Sequence, residues 1–177
     1  NFEMITIKDY QEDFCFLGLP NKELPILNEV CSFDENSRTS IEYWSWIDNK
    51  NISEKFFTGN KSYTLKQNSF SPSFSINTDS IKTSKYRISA NTWVYPEGGT
   101  SLKNIVLVIS IDYPDGNNIW KGISLDKQVL NYNSWNNINN YLEINSDRNG
   151  GIIKAYLWNN SNKEVLLDDF TVSIIAI

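Results

Sequence analysis

From Val30 to the end of the chain, apolar and polar positions alternate with a period of two, which places successive side chains on opposite faces of a strand. The pattern predicts strands over Val30–Asp34, Ile41–Ile47, Ser62–Lys66 and Phe70–Ile76. Pro72 consigns the last of these to a sheet edge or a bulge, because proline donates no ladder hydrogen bond. Lys85–Tyr95 is the first long strand, with Tyr86, Ile88 and Ala90 on one face and Ser89, Asn91, Trp93 and Tyr95 on the other. Lys103–Tyr113 is apolar almost throughout, the mark of a central strand covered on both faces. Ile119–Leu125 and Tyr141–Ile144 follow, and the chain closes on a hairpin of Gly151–Trp158 and Val165–Ile175. Pro114-Asp115-Gly116-Asn117 is a turn with a mechanism: proline presets φ and Asp-Gly tolerates positive φ.

No stretch shows helical periodicity. About ten strands separated by turn signals predict an all-β antiparallel sandwich, a jelly roll, over residues 30–177. Residues 1–29 read as an irregular N-terminal segment, with Pro20 and Pro25 around a polar link.

The closing strand carries two adjacent carboxylates, Asp168 and Asp169, in an otherwise apolar run. Simple alternation puts Leu166, Asp168, Phe170, Val172 and Ile174 toward the core, and Val165, Leu167, Asp169, Thr171 and Ser173 away from it. An inward carboxylate needs a partner, since burying one alone costs several kcal/mol.

Composition narrows the function. The chain has 177 residues, one domain's worth, with six Trp, no His and a net charge of −5. No basic stripe is present to neutralise phosphates, so nucleic acid is not an expected partner. No apolar run approaches the length that spans a membrane. The chain opens at Asn1 without a signal peptide and reads as a mature or excised piece. Cys15 and Cys31 either close a loop worth about 3 kcal/mol or are two buried thiols.

Catalysis finds little support. Without His, most nucleophile–base and metal-hydrolase schemes fall away. There is no glycine-rich phosphate loop. Asp168 and Asp169 point to opposite faces, whereas glycoside hydrolysis needs two carboxylates across one groove.

Several short motifs occur in a telling order: Ser32-Phe33-Asp34, Thr58-Gly59-Asn60-Lys61-Ser62, Tyr86-Arg87-Ile88-Ser89-Ala90, Trp135, Ile153-Lys154-Ala155-Tyr156-Leu157-Trp158-Asn159 and Leu167-Asp168-Asp169-Phe170-Thr171-Val172. With these the chain resembles the jelly-roll domains of the carbohydrate-binding-module and galactose-binding-like group. It is especially similar to versions appended to surface enzymes or membrane glycosyltransferases in Bacteroidota-type bacteria. The resemblance spans about residues 30–177 and rests on structural motifs. It implies a structural Ca²⁺ held by Asp168, by an acidic residue near the first strand, here Asp34 where the family has Glu, and by the Asn60–Ser62 turn around Lys61. The alternative is that Asp168 accepts backbone N–H bonds or pairs with a lysine, with no metal.

Sugars present apolar C–H faces and hydroxyls, so aromatic platforms beside polar side chains are what sugar binding requires. Trp93, Tyr95, Trp120 and Trp158, with Asn91 and Lys121, are the candidate carbohydrate-binding residues. If their strands share a sheet, they line one outer face. The expectation is a non-catalytic, extracytoplasmic carbohydrate-binding module of a larger secreted or envelope protein, with a glycan or polysaccharide as partner. A protein-interaction or adhesion module, or a structural spacer of the same fold, is the alternative.

Overall fold

A computed structural model describes residues 25–34, 43–45 and 49–177. In chain order the strands are β1 (Pro25–Cys31), β2 (Ile52–Ser53), β3 (Ser62–Leu65), β4 (Ser69–Phe70), β5 (Phe74–Asn77), β6 (Lys85–Pro96), β7 (Ile105–Asp112), β8 (Ile119–Ser124), β9 (Asn136–Asn145), β10 (Ile152–Asn159) and β11 (Val165–Ala176). The only helical elements among the described residues are single 3-10 turns.

All pairings are antiparallel and form two sheets packed face to face. One, sheet A, runs β2-β3-β11-β6-β9, with β1 also paired to β11. The other, sheet B, runs β4-β10-β7-β8, with β5 also paired to β10. Among the described residues the sandwich already includes Pro25, upstream of the expected boundary at residue 30. Asn28, Glu29 and Val30 lie opposite Ser173, Val172 and Thr171, so β11 extends the domain upstream by pairing. Cys15, which would either pair with Cys31 or stay a thiol, and the aromatic Trp46 lie outside the described residues. Cys31 is a buried free thiol, and burial pushes its pKa up to about 12.

The core lies between the inner faces of the two sheets. Ile88, Ala90 and Val94 of β6 meet Leu107, Ile109 and Ile111 of β7 and Ile153, Ala155 and Leu157 of β10. Trp44 closes one end, edge-on to Phe74 at 5.7 Å and to Phe170 at 5.3 Å between ring centroids. The periodicity of β6 and β10 holds as read. Strand β7 is central, and Val108 and Ser110 on its outer side are buried as well. The Pro72 segment divides into β4 and β5 at the sheet's edge, each pairing with β10.

Strand β11 departs from simple alternation. Val165 and Leu167 are core residues, and so are Phe170, Val172 and Ile174. An odd-numbered and an even-numbered series can both face inward only if the strand changes phase between them. It does so in a bulge between Asp168 and Thr171, where Asp169 takes a φ of +46°. Thr92 Oγ1 donates to the Asp168 carbonyl at 2.9 Å and ties the bulge to β6. Asp168 consequently pairs with Trp93 and shares the outer face of sheet A, not the sandwich interior.

A second polar tie joins the sheets. Asn140 of β9 is buried, and its amide donates to the carbonyls of Leu107 at 3.0 Å and Lys121 at 2.9 Å. One side chain thus fastens the edge of sheet A to β7 and β8.

Candidate functional site

The strand register lays out the outer face of sheet B as a grid. Phe70 of β4 pairs with Trp158 of β10, which pairs with Val106 of β7 and, through it, Ser124 of β8. The next row is Tyr156, Val108 and Gly122, and the next Lys154, Ser110 and Trp120. Ile152 and Asp112 follow. The face is therefore apolar and aromatic at one end and polar at the other.

Two aromatic groups flank its floor. On the β10 side, Phe70 stacks on Trp158 at 6.2 Å and meets Tyr156 edge-on at 5.6 Å. On the β8 side, Trp120 folds along its own strand so that its six-membered ring fills the space above Gly122. A Cβ added there would overlap Trp120 Cη2 and come within 2.7 Å of Cζ2 and of Val106 Cγ1. Phe70 and Trp120 remain more than half exposed, at 59% and 58%. Between the two groups runs a groove of about 560 Å³, lined in part by Phe70, Tyr156, Trp120, Ser110, Asp112 and Lys154. Strands β10 and β8 are two spacings apart, about 9.6 Å, enough for one sugar ring with van der Waals contacts of about 3.5–4 Å on each side.

The polar end carries one ion pair, Lys154 Nζ to Asp112 Oδ2 at 2.8 Å, with both side chains 41% exposed. The groove thus offers an ammonium donor, carboxylate acceptors and the Ser110 hydroxyl, with no net charge from the pair.

The outer face of sheet A has a different character. Residues 54–61 cross it, and Phe57 stacks on Trp93 at 3.7 Å and 20°. Trp135 meets Phe57 at 6.1 Å and Tyr95 at 5.6 Å, both edge-on. Lys55 Nζ sits 3.3 Å above the Tyr95 ring. Asn91 and Asn137 exchange amide hydrogen bonds of 2.8 and 3.0 Å. A sugar approaching Trp93 or Tyr95 meets rings already engaged by protein, while Asn91 lines a separate cavity of about 430 Å³ with Arg87, Tyr141 and Glu143.

This two-sheet architecture has solved counterparts. The chain is similar to the CBM22-1 xylan-binding domain from Paenibacillus barcinonensis Xyn10C, with a TM-score of 0.52 and 15% identity over 88% of this chain and 97% of that one. It is also similar to the N-terminal CBM22-1-CBM22-2 tandem domain from Xyn10C of the same organism, with a TM-score of 0.53 and 12% identity over 88% of this chain and 46% of that one. The fold is a two-sheet antiparallel jelly roll, as in these neighbours. No protein-family model matches the sequence, and no curated protein matches it. At these identities the likeness carries the architecture, and the site rests on its own residues.

The jelly roll does not bring the predicted sugar-binding residues together. Trp120 and Trp158 lie on the outer face of sheet B, while Trp93, Tyr95 and Asn91 lie on the outer face of sheet A. Lys121, next to Trp120 in sequence, points the other way and places its ammonium 4.1 Å from the centroid of Tyr141 on β9. The reason is strand assignment: β6 pairs with β11 and β9, while β8 and β10 flank β7 in the other sheet. Phe70, Tyr156, Lys154 and Asp112 complete the groove and were not among the predicted sugar-binding residues, while Gly122 lies beneath the Trp120 ring. A visible signal was the Trp120-Lys121-Gly122 spacing, a large ring and a missing side chain on the same face of one strand.

The corner expected to hold calcium is built from N–H donors. Asp168 Oδ2 accepts the backbone N–H groups of Phe57 at 2.7 Å and Thr58 at 3.1 Å, and Oδ1 accepts that of Asp169 at 2.9 Å. Asp34 Oδ1 accepts the N–H groups of Asn60 at 2.8 Å and Lys61 at 2.9 Å. A Cβ at Gly59, which has a φ of +68°, would collide with the Asp34 carboxylate. Calcium takes six to eight oxygens, whereas these two carboxylates are turned toward the backbone amides of one loop. Among the described residues no three His, Cys, Asp or Glu side chains group together as a metal site. Asp34, Lys61 and Asp168 therefore do not fit the expected cation. Asp34 and Asp168 instead accept N–H groups within residues 57–61 and clamp that loop in place.

Burial raises the Asp168 carboxyl above the usual carboxylate range and outweighs the N–H bonds from Phe57 and Thr58, and the neighbouring Asp169 charge raises it further. Asp168 is 1% exposed, out of reach of any substrate.

Proposed function

We propose that this jelly roll is a non-catalytic carbohydrate-binding module and that a glycan chain lies in the groove on the outer face of sheet B. The carrying observation is the open Trp120 ring, seated over Gly122 and lining a groove opposite Phe70 and Tyr156, with Lys154, Asp112 and Ser110 lining the same groove. A pyranose has that polarity: C–H groups stack on aromatic rings while hydroxyls take a donor and an acceptor. Xylan binding by the similar CBM22-1 domain is in keeping with this reading. A groove interleaving aromatics with an ion pair and a serine suits a sugar better than a flat apolar protein surface. The same reading makes the domain an extracytoplasmic part of a larger secreted or envelope protein.

The test is calorimetric titration with xylohexaose, cellohexaose and β-1,4-galactotriose, and affinity electrophoresis through gels containing soluble xylan or galactan. Binding by the wild type that is lost in Trp120→Ala, with an unchanged melting temperature, is the expected result. No binding across the panel, or equal binding by Trp120→Ala, removes the proposal.

A further inference from the structure

Gly122 lies in the interior of a strand, where glycine weakens a sheet through chain entropy and a missing side chain. Its backbone is not in the left-handed region, so no φ requirement accounts for it. It does not serve a turn, since β8 runs on to Ser124. What does account for it is the space it leaves: the ring of Trp120 fills the position that a Cβ would take, beside Val106 Cγ1.

We infer that Gly122 is the positioning residue of the glycan groove, its missing side chain acting as the seat that holds the Trp120 ring down over β8 as a binding surface. The inference deepens the reading of this groove as a sugar site and rests on it. With any side chain at residue 122 the ring must lift or swing outward. Trp120 is exposed and its ring is the far end of a movable side chain, and Val106 on the outer face of β7 must shift with it. Lifting the ring displaces the wall that Trp120 gives the groove and spoils the stacking geometry.

The seat makes binding and stability respond in opposite ways. Gly122→Ala supplies a residue with less conformational freedom in a strand, so the fold holds or gains slightly. Glycan affinity falls several-fold, approaching the roughly tenfold loss that removing one aromatic stacking partner brings. Gly122→Val lifts the ring further and weakens binding more.

Two measurements decide it. The first needs no ligand: in the nuclear magnetic resonance spectrum of the wild type, the Gly122 α-protons are shifted upfield by the Trp120 ring current, and Trp120→Ala abolishes the shift. Unshifted Gly122 protons overturn the seat outright. The second is titration of wild type, Trp120→Ala, Gly122→Ala and Gly122→Val with whichever panel oligosaccharide the wild type binds. Loss in Trp120→Ala together with graded loss in Ala and Val at 122, at unchanged melting temperature, supports the inference. Loss in Trp120→Ala with full affinity in both Gly122 variants overturns the positioning role and leaves the sugar site standing. A wild type that binds nothing removes the glycan reading, and the positioning role goes with it, even if the upfield shift shows the ring seated.

Discussion

Asp168 Oδ2 accepts the backbone N–H of Phe57 at 2.7 Å, across a sequence separation of 111 residues. This bond and its neighbour from Thr58 hold down the loop whose Phe57 ring covers Trp93, so a carboxylate on the last strand decides that this tryptophan ring meets protein.

Replacing Asp168 with Asn puts an amide against those N–H donors and destabilises the domain by about 2 kcal/mol at pH 7, read from the urea midpoint. The pH dependence has a definite sign. A carboxyl raised in the folded state binds its proton more tightly there than in the unfolded chain, so its contribution is fully present below the ordinary value of 3.8 and declines as pH rises through the higher folded value. The stability difference between wild type and Asp168→Asn therefore widens on lowering the pH toward 3.8. A difference that stays constant from pH 7 to 3.5 contradicts the raised carboxyl.

Chelation tests the same corner. Because Asp34 and Asp168 are occupied by amide donors, dialysis against a chelator leaves the melting temperature unchanged and elemental analysis finds no stoichiometric calcium. A fall of several degrees that added calcium reverses shows instead that the cation belongs there.

The two tryptophan faces respond differently. Trp93→Ala removes the partner of Phe57 and loosens the covering loop, costing about 2–3 kcal/mol while leaving the sheet B groove intact. Trp120→Ala removes an exposed ring and costs little stability but weakens sugar binding about tenfold. Melting curves and titrations on both variants give this crossed pattern, and glycan binding that depends on Trp93 rather than Trp120 reverses the assignment.

Asn140 stitches the sheets together from inside. Asn140→Leu leaves the Leu107 and Lys121 carbonyls without that buried donor, and denaturation shows a loss of about 1–3 kcal/mol. A neutral result means that water or a shifted strand replaces the amide.

Much of the architecture was open to a reader of the chain alone. Alternation along β6 correctly told which residues share a face, because the strand keeps a strict period of two. The unbroken apolar run of β7 announced a strand covered on both sides. Pro72 announced an edge. These are local properties, set by pleat geometry and by which side chains leave water.

Tertiary structure decided the rest. Strand pairing divided the predicted aromatics between two outer faces, since partners come from distant segments and alternation says nothing about which sheet a strand joins. The bulge at Asp168–Asp169 reversed the phase of β11 midway, a change of one residue that composition does not reveal. The crossing of residues 54–61 over sheet A closed Trp93 and Tyr95, and left Trp120 open on its glycine seat. An aromatic side chain's readiness to stack is written in its residue type. Whether its face meets protein or solvent depends on a long-range backbone path, and here that path is held by two carboxylates.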